Sequence, residues 1–201
     1  MYWIHPNHPD AAHIFRKQLL SMINDYNKKK KPLLFVCIGT PTILGDTLGP
    51  LVGTILDSKI PATIYGTLNN PVHALNYEKI YKDIKKQHQK PFIIAIDAAL
   101  GTVAQSGYIL LKKGPLLPGK GVGKKLSPIG HIQITGVFQD IFLRTSGKQM
   151  ASFSRCISQG ILELYPSFQS TQESDFVNIL EIPANRYTAG NTTDFNSRRF
   201  D

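Results

Sequence analysis

Uninterrupted apolar runs alternate along this chain with segments whose apolar positions recur every three or four residues. Residues 33–38 form such a run between Pro32 and Gly39. Runs of this kind are typical of strands covered on both faces, and so of parallel sheets. Segments 62–65, 92–96, 108–112 and 132–137 predict four more strands. Asp10 is placed to cap a helix reaching about Tyr26, with Ile14, Leu19, Leu20 and Ile23 on its apolar face. A segment after Asp46 carries Leu48, Leu51, Val52 and Ile55 on one side. Residues 77–89 predict a polar helix with Ile80 and Ile84 inward. A last helix is expected to begin near Phe138, break at Gly147 and resume over 150–164, with Pro166 closing it.

Strands alternating with helices predict an α/β fold: a doubly wound, mostly parallel sheet flanked by helices, a three-layer sandwich of the phosphorylase/hydrolase type. The expected organisation is a single domain over 1–201. It comprises an N-terminal helix and basic linker (1–31), an α/β core (32–166) and a polar tail (167–201). The strand order 2-1-3-4-5 sets the first and third strands side by side, with a ligand crevice beyond their carboxyl ends. Asp46 follows the first strand across a breaker-rich loop, and Asp97 ends the third. The topology therefore predicts that two carboxylates distant in sequence meet in one crevice.

Such a pair has definite chemistry. A carboxylate at a helix start is favoured by N–H donors, so Asp46 is expected to ionise easily. Asp97 ends the apolar run Phe-Ile-Ile-Ala-Ile and is expected to be desolvated and to hold a proton. One group holding a proton while the other takes one from water is the logic of acid–base hydrolysis without a covalent intermediate. Against this stands the plainer reading of Asp46 as a helix cap. A metal would need more ligands than two carboxylates. Of six histidines only His73 and His131 lie near element ends that could face the crevice. No metal and no cofactor is assigned. Thr40 and Gly45, in the loop before Asp46, are taken as substrate-binding candidates, together with Lys120 and Lys124 of a basic loop.

Composition narrows the field. A chain of 201 residues, 42% hydrophobic, suits one globular core, and the net charge of +9 is dispersed over several lysine clusters. Those clusters are not interleaved with aromatics and no helix-turn-helix pattern accompanies them, which disfavours nucleic acid as partner. No apolar run is long enough to span a bilayer and no secretory signal is visible, so a cytoplasmic protein without a membrane partner is expected. Cys37 and Cys156 fall in apolar patterns and read as reduced core thiols. The segment 118–125 superficially suggests a phosphate loop. Pro118 stands where its first glycine should be and Lys125 where Ser or Thr should be, so a basic loop gathering an acidic substrate is the better reading.

Several motifs occur together: Cys37-Ile-Gly-Thr, Thr42-Ile-Leu-Gly-Asp46-Thr-Leu-Gly-Pro-Leu-Val-Gly53, Pro71-Val-His-Ala-Leu-Asn76, Ala95-Ile-Asp97-Ala-Ala-Leu-Gly101, Pro118-Gly-Lys-Gly-Val-Gly123 and Ile129-Gly-His-Ile-Gln-Ile-Thr-Gly-Val137. The set resembles a sporulation protein family related to the spore germination protease, over roughly residues 33–160. That protease is an atypical aspartic peptidase with a fold like the hydrogenase maturation peptidases, and it degrades small acid-soluble spore proteins. Its two essential aspartates fall, by motif match, on Asp46 and Asp97. The resemblance thus implies an aspartic-type endopeptidase (a hydrolase) of sporulation or spore germination. Its partner would be a protein or peptide substrate such as the small acid-soluble spore proteins, and a homo-oligomer is compatible with it. The alternative is a non-catalytic peptide- or partner-binding protein on the same fold. The hydrogenase maturation peptidases place a metal-binding histidine on a later strand, and His131 is the nearest counterpart here.

Overall fold

The computed structural model describes residues 1–119, 123, 125–139 and 145–165. Its centre is a six-stranded sheet in the order β1-β5-β6-β4-β2-β3. The strands are β1 (Tyr2–Ile4), β2 (Leu33–Cys37), β3 (Thr63–Tyr65), β4 (Phe92–Leu100), β5 (Ile109–Lys113) and β6 (Ile132–Phe138). β2 runs parallel to β3 and to β4, and β4 parallel to β6. Only β5 is reversed, antiparallel to both β1 and β6. The described helices are α1 (Ala11–Tyr26), α2 (Leu48–Leu56), α3 (Tyr77–Gln87) and α4 (Gly147–Leu162).

Alternation along the central strands sends side chains into two separate cores. Phe35, Cys37, Ile94, Ile96, Ile132 and Ile134 face α1, α2 and α4, where Phe15, Leu19, Leu51, Ile55, Phe153 and Ile157 are buried against them. Leu34, Val36 and Ala95 face the opposite way and pack with Tyr77 and Ile84 of α3. Both faces of β2 are covered, which is why its sequence Leu-Leu-Phe-Val-Cys has no polar break. The arrangement is the expected α/β three-layer sandwich, with a mostly parallel sheet flanked by helices.

Several local expectations need correction. The strand order in the predicted numbering is 2-1-3-5-4, not 2-1-3-4-5, and an unanticipated strand, β1, joins the edge. The connection from Leu100 to Ile109 carries no helix and is too short for a crossover of a dozen or more residues, so β5 turns back and pairs antiparallel. β4 does not stop at Ile96: it runs on to Leu100, and Asp97 lies within it. Phe138 ends a strand instead of starting a helix, and α4 begins at Gly147 behind Ser146, whose hydroxyl accepts from the Gln149 N–H at 3.2 Å. Asp10 makes no side-chain cap on α1, and the buried stripe of that helix is Ala11, Phe15, Leu19 and Met22. Pro166 and the tail lie outside the described residues.

Candidate active site

The reversal of chain direction falls between β2 and β4, as the sequence order of the first three predicted strands requires. Their pairing ends at Cys37 opposite Ile96, with one further bond from the Ile38 N–H to the Ile96 carbonyl at 2.7 Å. β2 then leaves the sheet at Gly39, which has φ of +146°. A Cβ there would lie 1.9 Å from the Asp46 carbonyl oxygen, so only glycine lets the returning loop close this tightly. The loop comes back through a 3-10 turn, Leu44–Thr47, that delivers Asp46 immediately before α2. β4 meanwhile continues beside β6 alone, with Asp97 opposite Thr135.

Asp46 and Asp97 line one open cleft of about 790 Å³, together with Gly39, Ile43, His73 and Tyr77. Asp46 does not cap α2. Its Oδ2 accepts the Thr40 N–H at 2.9 Å, across the loop, and Thr47 occupies the cap position without a side-chain capping bond, its hydroxyl donating instead to the Ile43 carbonyl at 2.9 Å. Asp97 Oδ1 accepts the N–H of its own neighbour Ala98 at 2.8 Å. Among the described residues neither carboxylate has a further donor, so each keeps one oxygen for a ligand or for water.

The electrostatics follow from burial and from the pairing. Desolvation lifts Asp46 from the usual 3.8 to about 6, more than the single Thr40 bond pulls it down. The expectation that Asp46 ionises easily on helix-start donors is therefore corrected: one donor reaches it, and burial prevails. Asp97 is held well above the usual carboxylate range, first by desolvation, then by the charge of Asp46, against the Ala98 bond. Asp97 keeps a face open to the cleft, but protein crowds its other sides. Asp97 is thus the member of the pair that retains a proton to higher pH.

The remaining candidates separate. Thr40 and Gly45 stand behind Asp46: the first supplies an N–H to it, and the second is buried in the 3-10 turn, so neither lines the cleft. Lys120 and Lys124 lie outside the described residues, although Pro118 and Gly119 beside them do line the cleft. His131 is at the other end of β6, stacked on Phe92, with Nδ1 accepting the Ile93 N–H at 3.0 Å. That position, four residues before Thr135, removes it from the carboxylates. His73 is at the cleft, held in a loop clamped by Asn76, whose Oδ1 accepts the His73 N–H and whose Nδ2 donates to the Pro71 carbonyl. Among the described residues no three His, Cys, Asp or Glu side chains converge as metal ligands. Cys37 and Cys156 are buried free thiols, both pushed up by burial, and belong to the core.

Sequence reasoning missed Tyr77, Lys112, Gln133 and Thr135, all of which line the cleft. Tyr77 begins α3 and donates from its hydroxyl to the Ser127 carbonyl at 2.7 Å, while Glu78 accepts from the Ser127 N–H and hydroxyl. These bonds tie the segment after the basic loop to α3 as one wall. Alternation along β6 could have flagged Gln133 and Thr135: two polar side chains on one face of an otherwise apolar strand.

The span of sequence that builds this cleft is shared with known proteins. The protein named "Uncharacterized protein YyaC" from Bacillus subtilis (strain 168) is 43% identical over 136 residues, 65% of this chain and 65% of that relative. The chain thus covers just under two thirds of that relative's length. A family model described as "Protein of unknown function (DUF1256)" matches residues 3–145, from β1 through β6, with both aspartates inside the match. The chain belongs to the DUF1256 family.

Proposed function

We propose that the cleft is the active site of an aspartic-type endopeptidase in which Asp46 and Asp97 divide the acid–base work. The observation that carries the reading is that the two carboxylates open onto one cleft while each makes a single bond among the described residues. As pH rises Asp46 ionises first, and burial together with the Asp46 charge favours keeping the proton on Asp97. A water between them loses a proton to Asp46 as its oxygen attacks the peptide carbonyl. Asp97 gives its proton to the leaving nitrogen, the C–N bond breaks, and the proton on Asp46 passes to Asp97 to restore the starting state. The likeness of the motifs to the spore germination protease supports a substrate among the small acid-soluble spore proteins. The test is incubation of the purified protein with those proteins, beside Asp46→Asn and Asp97→Asn variants. Loss of cleavage in both variants is the expected result, and cleavage surviving in both would remove the pair as the catalytic device.

One observation favours a second reading, a non-catalytic peptide-binding protein. The Asp46 carboxylate already holds the loop through the Thr40 N–H, as a structural carboxylate would. A peptide retained by the wild-type protein without any cleavage, and lost when Asp46 is replaced by alanine, would support that alternative.

A further inference from the structure

The sheet itself forms the floor of the cleft, and its register fixes what lies along it. Asp97 pairs with Thr135, Thr135 with Leu110, and Leu110 with Trp3. These four residues form one row across β4, β6, β5 and β1, and all four line the cleft. Trp3 faces the cleft because its neighbour Ile4 is buried in the core on the other side. Trp3 is nonetheless 39% exposed, with Met1 and Leu117 exposed beside it at 70% and 50%. A large indole and two aliphatic side chains facing solvent within a concave site are unusual among surface residues.

The geometry points to an apolar specificity subsite at the Trp3 end of this cleft, which takes one large apolar side chain of an extended peptide. It rests on the peptidase reading above and deepens it. Three strand spacings of roughly 4.8 Å separate Trp3 from Asp97, about 14 Å in all. An extended chain advances roughly 3.3–3.6 Å per residue. A peptide whose bond lies at the aspartates and whose chain crosses the floor therefore brings the fourth residue on one side of that bond over Trp3 and Leu110. Thr135, next to Asp97 in the row, is small and polar, so along this row the apolar surface lies at the far end.

Trp3 is the single tryptophan of the chain, so its fluorescence reports occupancy of the subsite directly. The test has two arms on the full-length protein, the first with β-casein, a chain without stable structure, as the substrate. In the first, wild-type protein cuts β-casein and the new termini are sequenced by mass spectrometry. Leu, Ile, Met, Phe or Trp is expected to be enriched at the fourth residue on one side of the cut. The preference should fall about tenfold in Trp3→Ala and persist in Trp3→Phe, the size that burying one large apolar side chain implies. In the second arm the Asp46→Asn/Asp97→Asn protein is titrated with reduced, carboxymethylated ribonuclease A, an unfolded chain without tryptophan, and a blue shift of Trp3 emission is expected. Cleavage without that preference overturns the subsite and leaves the peptidase reading standing. A blue shift without cleavage by wild type supports the subsite and sinks the peptidase. Emission that shifts with protein concentration alone places a second copy on Trp3 and overturns the assignment, as does absence of both cleavage and shift.

Discussion

If Asp46 and Asp97 are kept for chemistry, they should cost the fold stability at neutral pH. A carboxyl whose pKa is higher folded than unfolded binds its proton more tightly in the folded state. Its stabilising contribution is complete below the unfolded value and is lost as pH rises through the folded value. For Asp46 that window runs from the usual 3.8 to about 6. At 1.36 kcal/mol per tenfold change, and with allowance for solvent at the cleft mouth, the ionised carboxylate costs about 2–3 kcal/mol above pH 7. Asp46→Asn keeps an oxygen that can accept the Thr40 N–H and removes the charge. The variant is expected to melt on the order of 5–10 °C higher than wild type at pH 8, with the difference vanishing near pH 4. Asp97→Asn should act in the same direction, since desolvation and the Asp46 charge both oppose its ionisation. The double variant should gain less than the two singles together, because part of the cost at Asp97 is the charge on Asp46. Scanning calorimetry from pH 4 to 8 measures this. A lower melting temperature for either single variant at pH 8 would mean that the carboxylate stabilises the fold, and the functional assignment would fail.

Cleavage by the wild-type protein should rise as pH passes through about 6, where Asp46 gains its charge, and a rate unchanged between pH 5 and 7 would contradict its role as base. Gly53→Ala places a Cβ 2.0 Å from the Gly66 carbonyl oxygen and forces α2 away from the neighbouring loop. A loss of about 1–3 kcal/mol in urea unfolding is expected, and no loss would show that α2 and the loop at Gly66 can part without cost. Tyr77→Phe removes the bond to the Ser127 carbonyl. It should cost about 1 kcal/mol and speed limited proteolysis between residues 114 and 131, whereas unchanged proteolysis would show that Glu78 alone secures that wall.

What the sequence disclosed depended on the kind of signal each element carries. The runs that became β2 and the first half of β4 are apolar without interruption because both faces are covered there, so they stand out in composition alone. β1 does not: three residues between an initial methionine and His5-Pro6 carry no period, and their strand character comes from pairing with β5. The direction of β5 was legible only in the length of its connection to β4. Asp97 was recognised from the strand before it, yet its setting was misjudged by three residues, since β4 outlasts its partner β2. The Asp46 loop looked like a helix start, whereas its geometry is set by the close approach at Gly39, a tertiary contact that no local pattern encodes. The lysines chosen for substrate fall outside the described residues. Lys112, which reads in sequence as one more dispersed charge, instead lines the cleft.

The reversal of β5 is also what makes the cleft. In a fully parallel sheet each strand-to-strand connection crosses a face and lays a helix over it. Here α3, which leads into β4, covers the face bearing Leu34, Val36 and Ala95. The connections into and out of β5 bring no described helix to that face, and α4, which follows β6, packs on the opposite one. Leu110, Lys112, Gln133 and Thr135 are left as an uncovered floor. Asp97 stands where cover gives way to open floor, one pleat beyond Ala95 and opposite Thr135. On one side the core removes water and lifts its pKa, and on the other a ligand can reach its free oxygen. A carboxyl buried on all sides could hold a proton but could not deliver it, and one on an open strand end could deliver it but would not hold it at neutral pH. The boundary position meets both requirements, and it arises because one strand turned back.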